Sequence, residues 1–189
     1  METYRCFIAV DLPSAVKLSL TAAQLCLKAA KDRIKWVEEV NFHLTLKYLG
    51  EITQAQVEAI QETLKSIANH HRKSGFYING AGAFPNPRNP KIIWAVIRDS
   101  ENTLTGLHQE IDDELFKLGL PREQKKFSPH LTLGRVKDPG PVPGLSGLLQ
   151  DLKVKEFVAL EEFKLMRSKL TKNGPEYSTI SSFELQEHF

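Results

Sequence analysis

The sequence is poor in the residues that build disulfide frameworks and metal sites. Its 189 residues include only two cysteines, Cys6 and Cys26, which form no disulfide framework and lack the spacing of metal ligands. This pattern excludes a disulfide-stabilised scaffold, and we predict two small buried thiols in a reducing compartment. No cofactor and no metal are expected.

A strong charge of one sign and long apolar runs are also absent. Lysine and arginine number 25 against 23 aspartates and glutamates, a net charge of +2. Binding to long nucleic acid mainly by charge is therefore not expected, although a local anion site is compatible with this balance. The apolar run near the start, 6–10, is too short for a signal peptide or a membrane span. We expect a cytoplasmic protein without a membrane partner.

Apolar spacing predicts short strands that alternate with helices. Apolar residues recur every three or four positions from Val16 to Ala30, which predicts a helix over 14–31. Thr53 and Gln56 form a capping-box pattern at the start of the second helix. The full prediction comprises helices over 14–31, 53–69 and 101–118, strands at 6–10, 43–49, 91–97 and 127–136, and a closing hairpin over 157–185.

The tetrapeptide His-Leu-Thr-Leu occurs twice, at 43–46 and 130–133, an offset of 87 positions. The same offset superimposes the first predicted strand and helix on the third strand and helix. We infer a duplicated strand-helix-strand unit. The repeat breaks in one arm, where the second helix corresponds to a stretch rich in proline and glycine at 139–147.

Each copy of the motif places a histidine and a threonine on one face of its strand. Residues two apart in a strand point the same way, so His43 lies beside Thr45 and His130 beside Thr132, while the leucines face the core. A pseudo-two-fold axis would bring the two polar faces together in a cleft. The alternative is that each histidine is half-buried and satisfied by a neighbour.

Two opposed imidazoles suit in-line displacement at phosphorus. One imidazole can accept a proton while the other donates one, and the threonine hydroxyls can donate to phosphate oxygens. Arg135 adds a charged donor five residues after His130. An ideal strand puts Arg135 on the opposite face, so it reaches the cleft only through a bulge, a strand end or a bend. The alternative is an ordinary surface cation.

Other chemistries fit the sequence less well. Zinc needs about three protein ligands, and neither motif carries a second histidine or a carboxylate at ligand spacing. A nucleophile elbow and a glycine-rich phosphate loop are absent. The histidines outside the motifs are interpreted as surface or helix residues: His70, His71, His108 and His188.

Four segments together resemble the two-histidine (2H) phosphoesterase superfamily. They are RCFIAVDLP, NFHLTLKYLGE, FPNPRNPKIIWA and FSPHLTLGRVK, which begin at residues 5, 41, 84 and 127. Within the superfamily they are most similar to the bacterial and archaeal RNA 2′,3′-cyclic phosphodiesterases, once described as 2′-5′ RNA ligases.

The resemblance implies one bilobal α+β domain over residues 1–189. Two mainly antiparallel sheets would surround a central cleft that carries one His-x-Thr-x motif from each lobe. The implied activity is metal-independent hydrolysis of an RNA-terminal 2′,3′-cyclic phosphate to a 2′-phosphate. The implied site residues are His43 as proton donor to the leaving 3′-oxygen, His130 as proton acceptor that activates water, and Thr45, Thr132 and Arg135 as phosphate ligands.

The expected partner is RNA with a 2′,3′-cyclic phosphate terminus, such as a tRNA fragment, or a cyclic nucleotide, bound by a monomer. Arg88, Lys91, Arg167 and Lys169 would form a basic rim for this RNA, or else they are solvated loop charges. Two other functions stay open. One is a non-catalytic nucleotide or RNA-end binding module that uses the same cleft, and the other is the reverse reaction, ligation through a 2′-5′ bond.

Overall fold

Nine β-strands and four α-helices form the part of the chain that the structure describes. It is a computed structural model, and it describes residues 2–27, 33–138, 140–172 and 174–187. The strands are β1 Thr3–Asp11, β2 Ile34–Trp36, β3 His43–Thr53, β4 Ser74–Phe84, β5 Ile92–Arg98, β6 His130–Val136, β7 Lys155–Leu160, β8 Glu162–Thr171 and β9 Gly174–Glu184. The helices are α1 Ser14–Leu27, α2 Gln54–Ala68, α3 Thr103–Lys117 and α4 Leu145–Asp151.

The strands form two antiparallel sheets, one in each lobe. The first sheet has the order β3-β1-β8-β9 and the second has the order β2-β6-β5-β4-β7. The first His-x-Thr motif lies on β3 and the second lies on β6. The predicted bilobal α+β fold, with one motif in each lobe, is confirmed.

Each half of the chain supplies two strands to the sheet of the other half, β2 and β4 to the second sheet and β8 and β9 to the first. Strand β4 follows β3 in the chain but pairs with β5 and β7 in the second sheet, whereas β8 lies between β1 and β9 in the first sheet. The orders β3-β1-β8 and β6-β5-β4 correspond at the predicted offset, which supports the duplication. The duplication and the single-domain organisation stay predictions.

Helix α1 buries the predicted apolar stripe, in which Leu20, Ala23 and Leu27 are buried. Ala30, the last predicted member, lies outside the described residues. Cys26 lies off this stripe and is exposed, so the predicted burial of both thiols is wrong for this residue. Cys6 is buried in β1, and burial raises the pKa of its thiol to about 11.

The other helices begin close to their predicted positions. At the start of α2, the Gln56 backbone N–H donates to Thr53 Oγ1 at 3.3 Å and the Thr53 N–H donates to Gln56 Oε1 at 2.9 Å, which confirms the capping box. The arm rich in proline and glycine keeps the short helix α4, which buries Leu145 and Leu149. None of the described helices is both long enough and apolar enough to cross a membrane.

A buried ion pair joins β3 to α3 and to the segment that leads toward β6. The Lys47 ammonium donates to the Asp112 carboxylate and to the Pro121 carbonyl at 3.0 Å, and Asp112 also accepts the Glu123 N–H at 3.0 Å. Both charged side chains are buried. Burial by itself raises the pKa of Asp112, but the hydrogen bonds from Lys47 and Glu123 and the nearby positive charge bring it below its ordinary value.

We expect Asp112→Ala to destabilise the fold by about 3–5 kcal/mol, because it leaves the Lys47 charge buried without its partner. Urea unfolding at neutral pH measures this loss. The matched control is Asp113→Ala, which removes the neighbouring exposed carboxylate that pairs with Arg122 and should change stability little. Equal effects of the two substitutions would contradict the prediction.

The pH dependence of stability has a defined sign at Asp112. Because its pKa is lowered in the folded state, the stabilisation is present above the ordinary aspartate value of 3.8 and is lost as the pH falls through the lower folded value.

Candidate active site

The two motifs line one cleft between the sheets. The cleft has a volume of about 600 Å³. All five residues that were predicted to bind or transform phosphate contribute to its lining: His43, Thr45, His130, Thr132 and Arg135. The structure therefore brings together two imidazoles, two hydroxyls and one guanidinium from opposite lobes.

Both motif histidines are held by the same backbone contact. Nδ1 of His43 donates to the Asn41 carbonyl at 2.8 Å, and Nδ1 of His130 donates to the Ser128 carbonyl at 2.8 Å. A carbonyl can only accept, so each neutral ring carries its proton on Nδ1. Nε2 of each ring is thus left for a substrate, as a proton acceptor when neutral and as a donor when charged.

The surroundings of the two histidines differ. His43 contacts the rings of Phe7 and Tyr177, at centroid distances of 4.9 and 5.1 Å. His130 is exposed and meets the Trp94 ring edge-on at 6.1 Å. Burial lowers the pKa of His43, against the opposing effects of its bond to Asn41 and of the Asp11 charge.

A bulge in β6 turns Arg135 into the cleft. Gly134 pairs with Ile93 and Thr132 pairs with Trp94, so the register between β5 and β6 skips Leu133. One extra residue reverses the alternation that follows it, and Arg135 then shares the face of Thr132. The prediction that Arg135 needs a bulge, a strand end or a bend to reach the cleft is confirmed.

Strand β3 has the equivalent bulge. Its pairing with β1 passes from Thr45 to Lys47 and skips Leu46, so Lys47 turns to the buried face and Tyr48 lines the cleft. The Arg5 guanidinium lies over the Tyr48 ring, 5.4 Å from its centroid. Sequence reasoning missed Tyr48 as a cleft residue, although it stands five positions after its motif histidine, as Arg135 does.

Side chains from α1 and α3 bind the carbonyls of the two bulges. Gln24 Nε2 donates to the Leu133 carbonyl and to the Val37 carbonyl, both at 2.8 Å. His108 Nδ1 donates to the Leu46 carbonyl at 2.8 Å. Both side chains are buried. Each bulge is thereby fixed by one polar residue from a helix.

His108 is a helix residue, as predicted. It is also buried, and it stacks on Phe127 with ring centroids 4.1 Å apart. His71 is half-buried and contacts Glu110 at 2.7 Å. His188 lies outside the described residues.

The four predicted rim residues do not line the cleft. Arg88 and Lys91 lie exposed near the loop between β4 and β5. On β8, Ser168 and Leu170 line the cleft, so Arg167 and Lys169 point to the other face. The Arg167 guanidinium instead lies 4.2 Å from the centroid of the Tyr4 ring. A contact between these residues and RNA outside the cleft stays a prediction.

Other positive charges line the cleft in their place. Arg5 on β1 and Lys35 on β2 join Arg135 in its lining. Within the described ranges, no group of three or more histidine, cysteine, aspartate or glutamate side chains is arranged to hold a metal ion. The arrangement suits an anion that carries a phosphorus centre between the two imidazoles.

Comparison with known families decides the class of this site. Residues 10–94 and 97–177 match the family described as LigT like Phosphoesterase. The chain belongs to this family. The resemblance that the paired motifs indicated is confirmed, and the chain is a phosphoesterase.

Two relatives of this phosphoesterase carry the same name. A protein called RNA 2′,3′-cyclic phosphodiesterase from Methanothermobacter thermautotrophicus is 34% identical over 183 residues, which cover 96% of this chain and 98% of that protein. The protein of the same name from Archaeoglobus fulgidus is 34% identical over 182 residues, which cover 95% of this chain and 99% of that protein.

Solved structures share the fold of the phosphoesterase. A crystal structure of a Thermus thermophilus protein superimposes with a TM-score of 0.83 at 28% identity, and covers 98% of this chain and 100% of that chain. Escherichia coli LigT in complex with 3′-AMP has a TM-score of 0.74 at 22% identity, and covers 97% of this chain and 99% of that chain. The second likeness shows the fold alone.

We expect Gln24→Met to weaken both the fold and phosphate binding. Methionine keeps the length of the side chain but removes the donor, so the Val37 carbonyl loses this partner while the Leu133 carbonyl keeps the Val37 N–H at 2.9 Å. The expected loss of stability is about 1–2 kcal/mol. Binding of inorganic phosphate should weaken as well, because the bulge that directs Arg135 loses a support.

Urea unfolding and phosphate titration measure the two effects of Gln24→Met. Gln109→Met, on the exposed face of α3, is the matched control and should change neither quantity. Unchanged stability together with unchanged phosphate affinity in Gln24→Met would refute the role of Gln24.

We expect Asp11→Asn to lower the pKa of His43 further. Asp11 pairs with His43 across β1 and β3, and its negative charge favours the imidazolium, whereas Lys17 disfavours it. NMR titration of a ring proton of His43 measures its pKa. The control Asp113→Asn, outside the cleft, should leave the pKa of His43 unchanged. A higher His43 pKa in Asp11→Asn would show that the charge assignment is wrong.

Proposed function

We propose that the chain hydrolyses RNA-terminal 2′,3′-cyclic phosphates to 2′-phosphates by acid and base catalysis from two histidines, without a metal. The observation that carries this proposal is the pair of imidazoles that face one cleft from opposite sheets, each with Nδ1 fixed by a backbone carbonyl and Nε2 left for a substrate. The name of the relatives that cover nearly the whole chain supports the same reaction.

The proposed reaction moves one proton on each side of the phosphorus. Nε2 of His130 takes a proton from water, and the water oxygen bonds to phosphorus. The bond from phosphorus to the 3′-oxygen breaks, and Nε2 of His43 donates its proton to that oxygen. The product carries a 2′-phosphate and a free 3′-hydroxyl.

The neighbouring donors stabilise the charge that builds up on the phosphoryl oxygens. Thr45 and Thr132 each lie two residues beyond a motif histidine, and Arg135 reaches the same face through the bulge of β6. Donors that are already oriented toward the developing charge are the largest source of rate enhancement in reactions of this kind. We assign these three residues to the non-bridging oxygens.

The division of labour between the histidines fits their surroundings. His130 is exposed, which suits a base that must meet water. Burial lowers the pKa of His43, so its imidazolium gives up a proton readily. The negative charge of a bound cyclic phosphate favours the protonated form of His43 in the complex.

RNA is the proposed partner, and the protein is proposed to act as a cytoplasmic monomer. Weak 2′-5′ ligation follows from the same mechanism when a 5′-hydroxyl replaces water. His130 takes the proton of that hydroxyl as its oxygen bonds to phosphorus, the bond from phosphorus to the 3′-oxygen breaks, and His43 protonates the 3′-oxygen.

Incubation of the protein with a short RNA that ends in a 2′,3′-cyclic phosphate, in the presence of EDTA, tests the proposal. We expect a 2′-phosphate product and a bell-shaped dependence of kcat/KM on pH, with the limb from His43 below the ordinary histidine value of 6.5. His43→Ala and His130→Ala should each lower kcat on the order of 10²–10⁴-fold.

The matched control is His71→Ala, which removes a histidine outside the cleft and should retain activity. Binding without turnover in the wild-type protein would favour the non-catalytic binding module. Turnover that appears only on addition of a metal ion would refute the proposed mechanism.

A further inference from the structure

The second sheet has an open face that continues from His130 to its outer strand. His130 pairs with Val96 on β5, Arg98 pairs with Tyr77 on β4, and Tyr77 pairs with Phe157 on β7. The register shifts of this sheet lie elsewhere, between Ile93 and Trp94 and between Ile78 and Ala81. Side chains that are paired without a shift share a face, so Arg98, Tyr77 and Phe157 lie on the same face as His130.

The outer part of this face carries two adjacent exposed aromatic rings. Tyr77 is 47% exposed and Phe157 is 55% exposed, and their ring centroids are 5.2 Å apart. A Cβ atom on Gly75 would collide with the Phe157 ring. The absence of a side chain at Gly75 therefore lets the Phe157 ring rest against the sheet beside Tyr77.

Positive charges flank the two rings. Arg98 precedes them on the side of the cleft, and Lys155 shares their face because it pairs with Asn79, two residues after Tyr77. Arg98 and Lys155 are exposed, and neither makes an ion pair with another described residue. We call Arg98, Tyr77, Phe157 and Lys155 the aromatic strip.

The carboxylates adjacent in the chain to Arg98 and Lys155 are directed elsewhere. Glu156 follows Lys155 but pairs with Ile78, so it lies on the opposite face of the sheet. Asp99 follows Arg98, but its oxygens accept the Leu104 and Thr105 N–H groups and the Thr105 hydroxyl, at 3.2, 3.0 and 2.9 Å. Asp99 thus accepts hydrogen bonds from the first turn of α3. The aromatic strip keeps a positive character toward solvent.

We propose that the aromatic strip binds the nucleotides upstream of the RNA terminus that occupies the cleft. This inference rests on the proposed function and adds a second contact region to it. Aromatic faces stack on any base, and arginine and lysine pair with backbone phosphates, so the strip suits single-stranded RNA without sequence preference. An acidic protein partner would use the two charges but would leave the exposed rings without stacking partners.

The distances fit a few nucleotides. Strands are spaced about 4.8 Å apart, so Tyr77 and Phe157 lie roughly 10 and 15 Å across the sheet from the strand of His130. Stacked nucleotides rise about 3.4 Å each, so the strip lies about three to four nucleotides upstream. Arg98 lies between the cleft and the rings, where the intervening phosphates pass. A mononucleotide in the cleft does not reach the rings.

The test compares substrates of different length in the double variant Tyr77→Ala/Phe157→Ala. Wild-type protein should have a lower KM for an octanucleotide with a 2′,3′-cyclic phosphate than for a 2′,3′-cyclic mononucleotide. In the double variant the KM for the octanucleotide should be about tenfold higher, because stacking on aromatic rings contributes affinity of that order. The KM for the mononucleotide should be unchanged. Arg98→Gln should make the KM for the octanucleotide depend less on salt concentration and should not alter this dependence for the mononucleotide.

Phe116→Ala is the matched control, because it removes an exposed aromatic ring from α3, away from this face, and should change neither KM. Thermal unfolding of each variant checks that the fold is kept. Equal KM values for both substrates in the wild type, or an unchanged octanucleotide KM in the double variant, would overturn the proposal.

Binding separates a failure of this inference from a failure of the proposed function. Fluorescence anisotropy of a labelled octanucleotide that ends in a 2′-phosphate measures affinity without turnover. Weaker binding by the double variant supports the strip even if neither cyclic substrate is hydrolysed. Equal binding by the two proteins refutes the strip even if hydrolysis is efficient.

Discussion

One extra residue at the end of each motif, Leu46 on β3 and Leu133 on β6, is the constraint on which the cleft depends. A regular strand that starts at His43 would direct Lys47 toward the cleft and Tyr48 into the core, and the same geometry would direct Arg135 away from His130. The bulges reverse this pattern in both strands. They also leave the carbonyls of Leu46 and Leu133 in the interior, where His108 and Gln24 satisfy them. Gln24 and His108, although buried in helices, thus hold the two bulges that shape the cleft.

The two copies of the motif share a backbone plan but differ in chemistry. The position five residues after the histidine is a phenol at Tyr48 and a guanidinium at Arg135. A ring lies against each histidine, Phe7 in one lobe and Trp94 in the other. A symmetric pair of imidazoles would have equal proton affinities, whereas unequal surroundings favour unequal ones.

Local patterns in the sequence predicted the elements and the pairing of the motifs well. The stripe of α1, the capping box of α2 and the two motif strands depend on neighbours in the chain, and the structure confirms them. The burial of His108 and the direction of Arg167 were not predictable in the same way, because they depend on which strand or helix lies opposite. Period-two alternation shows that Arg135 needs a bulge, but only the register with β5 places that bulge at Leu133.

The exchange of strands between the halves has a consequence for synthesis of the chain. Strand β1 can pair with β3 as soon as both have emerged from the ribosome, but its other edge waits for β8, which begins at Glu162. Until then the edge of β1 that will meet β8 has no hydrogen-bond partner. Because β1 is largely apolar, this exposed edge favours association with other chains. The first sheet is therefore complete only after the last two strands of the chain, β8 and β9, have been synthesised.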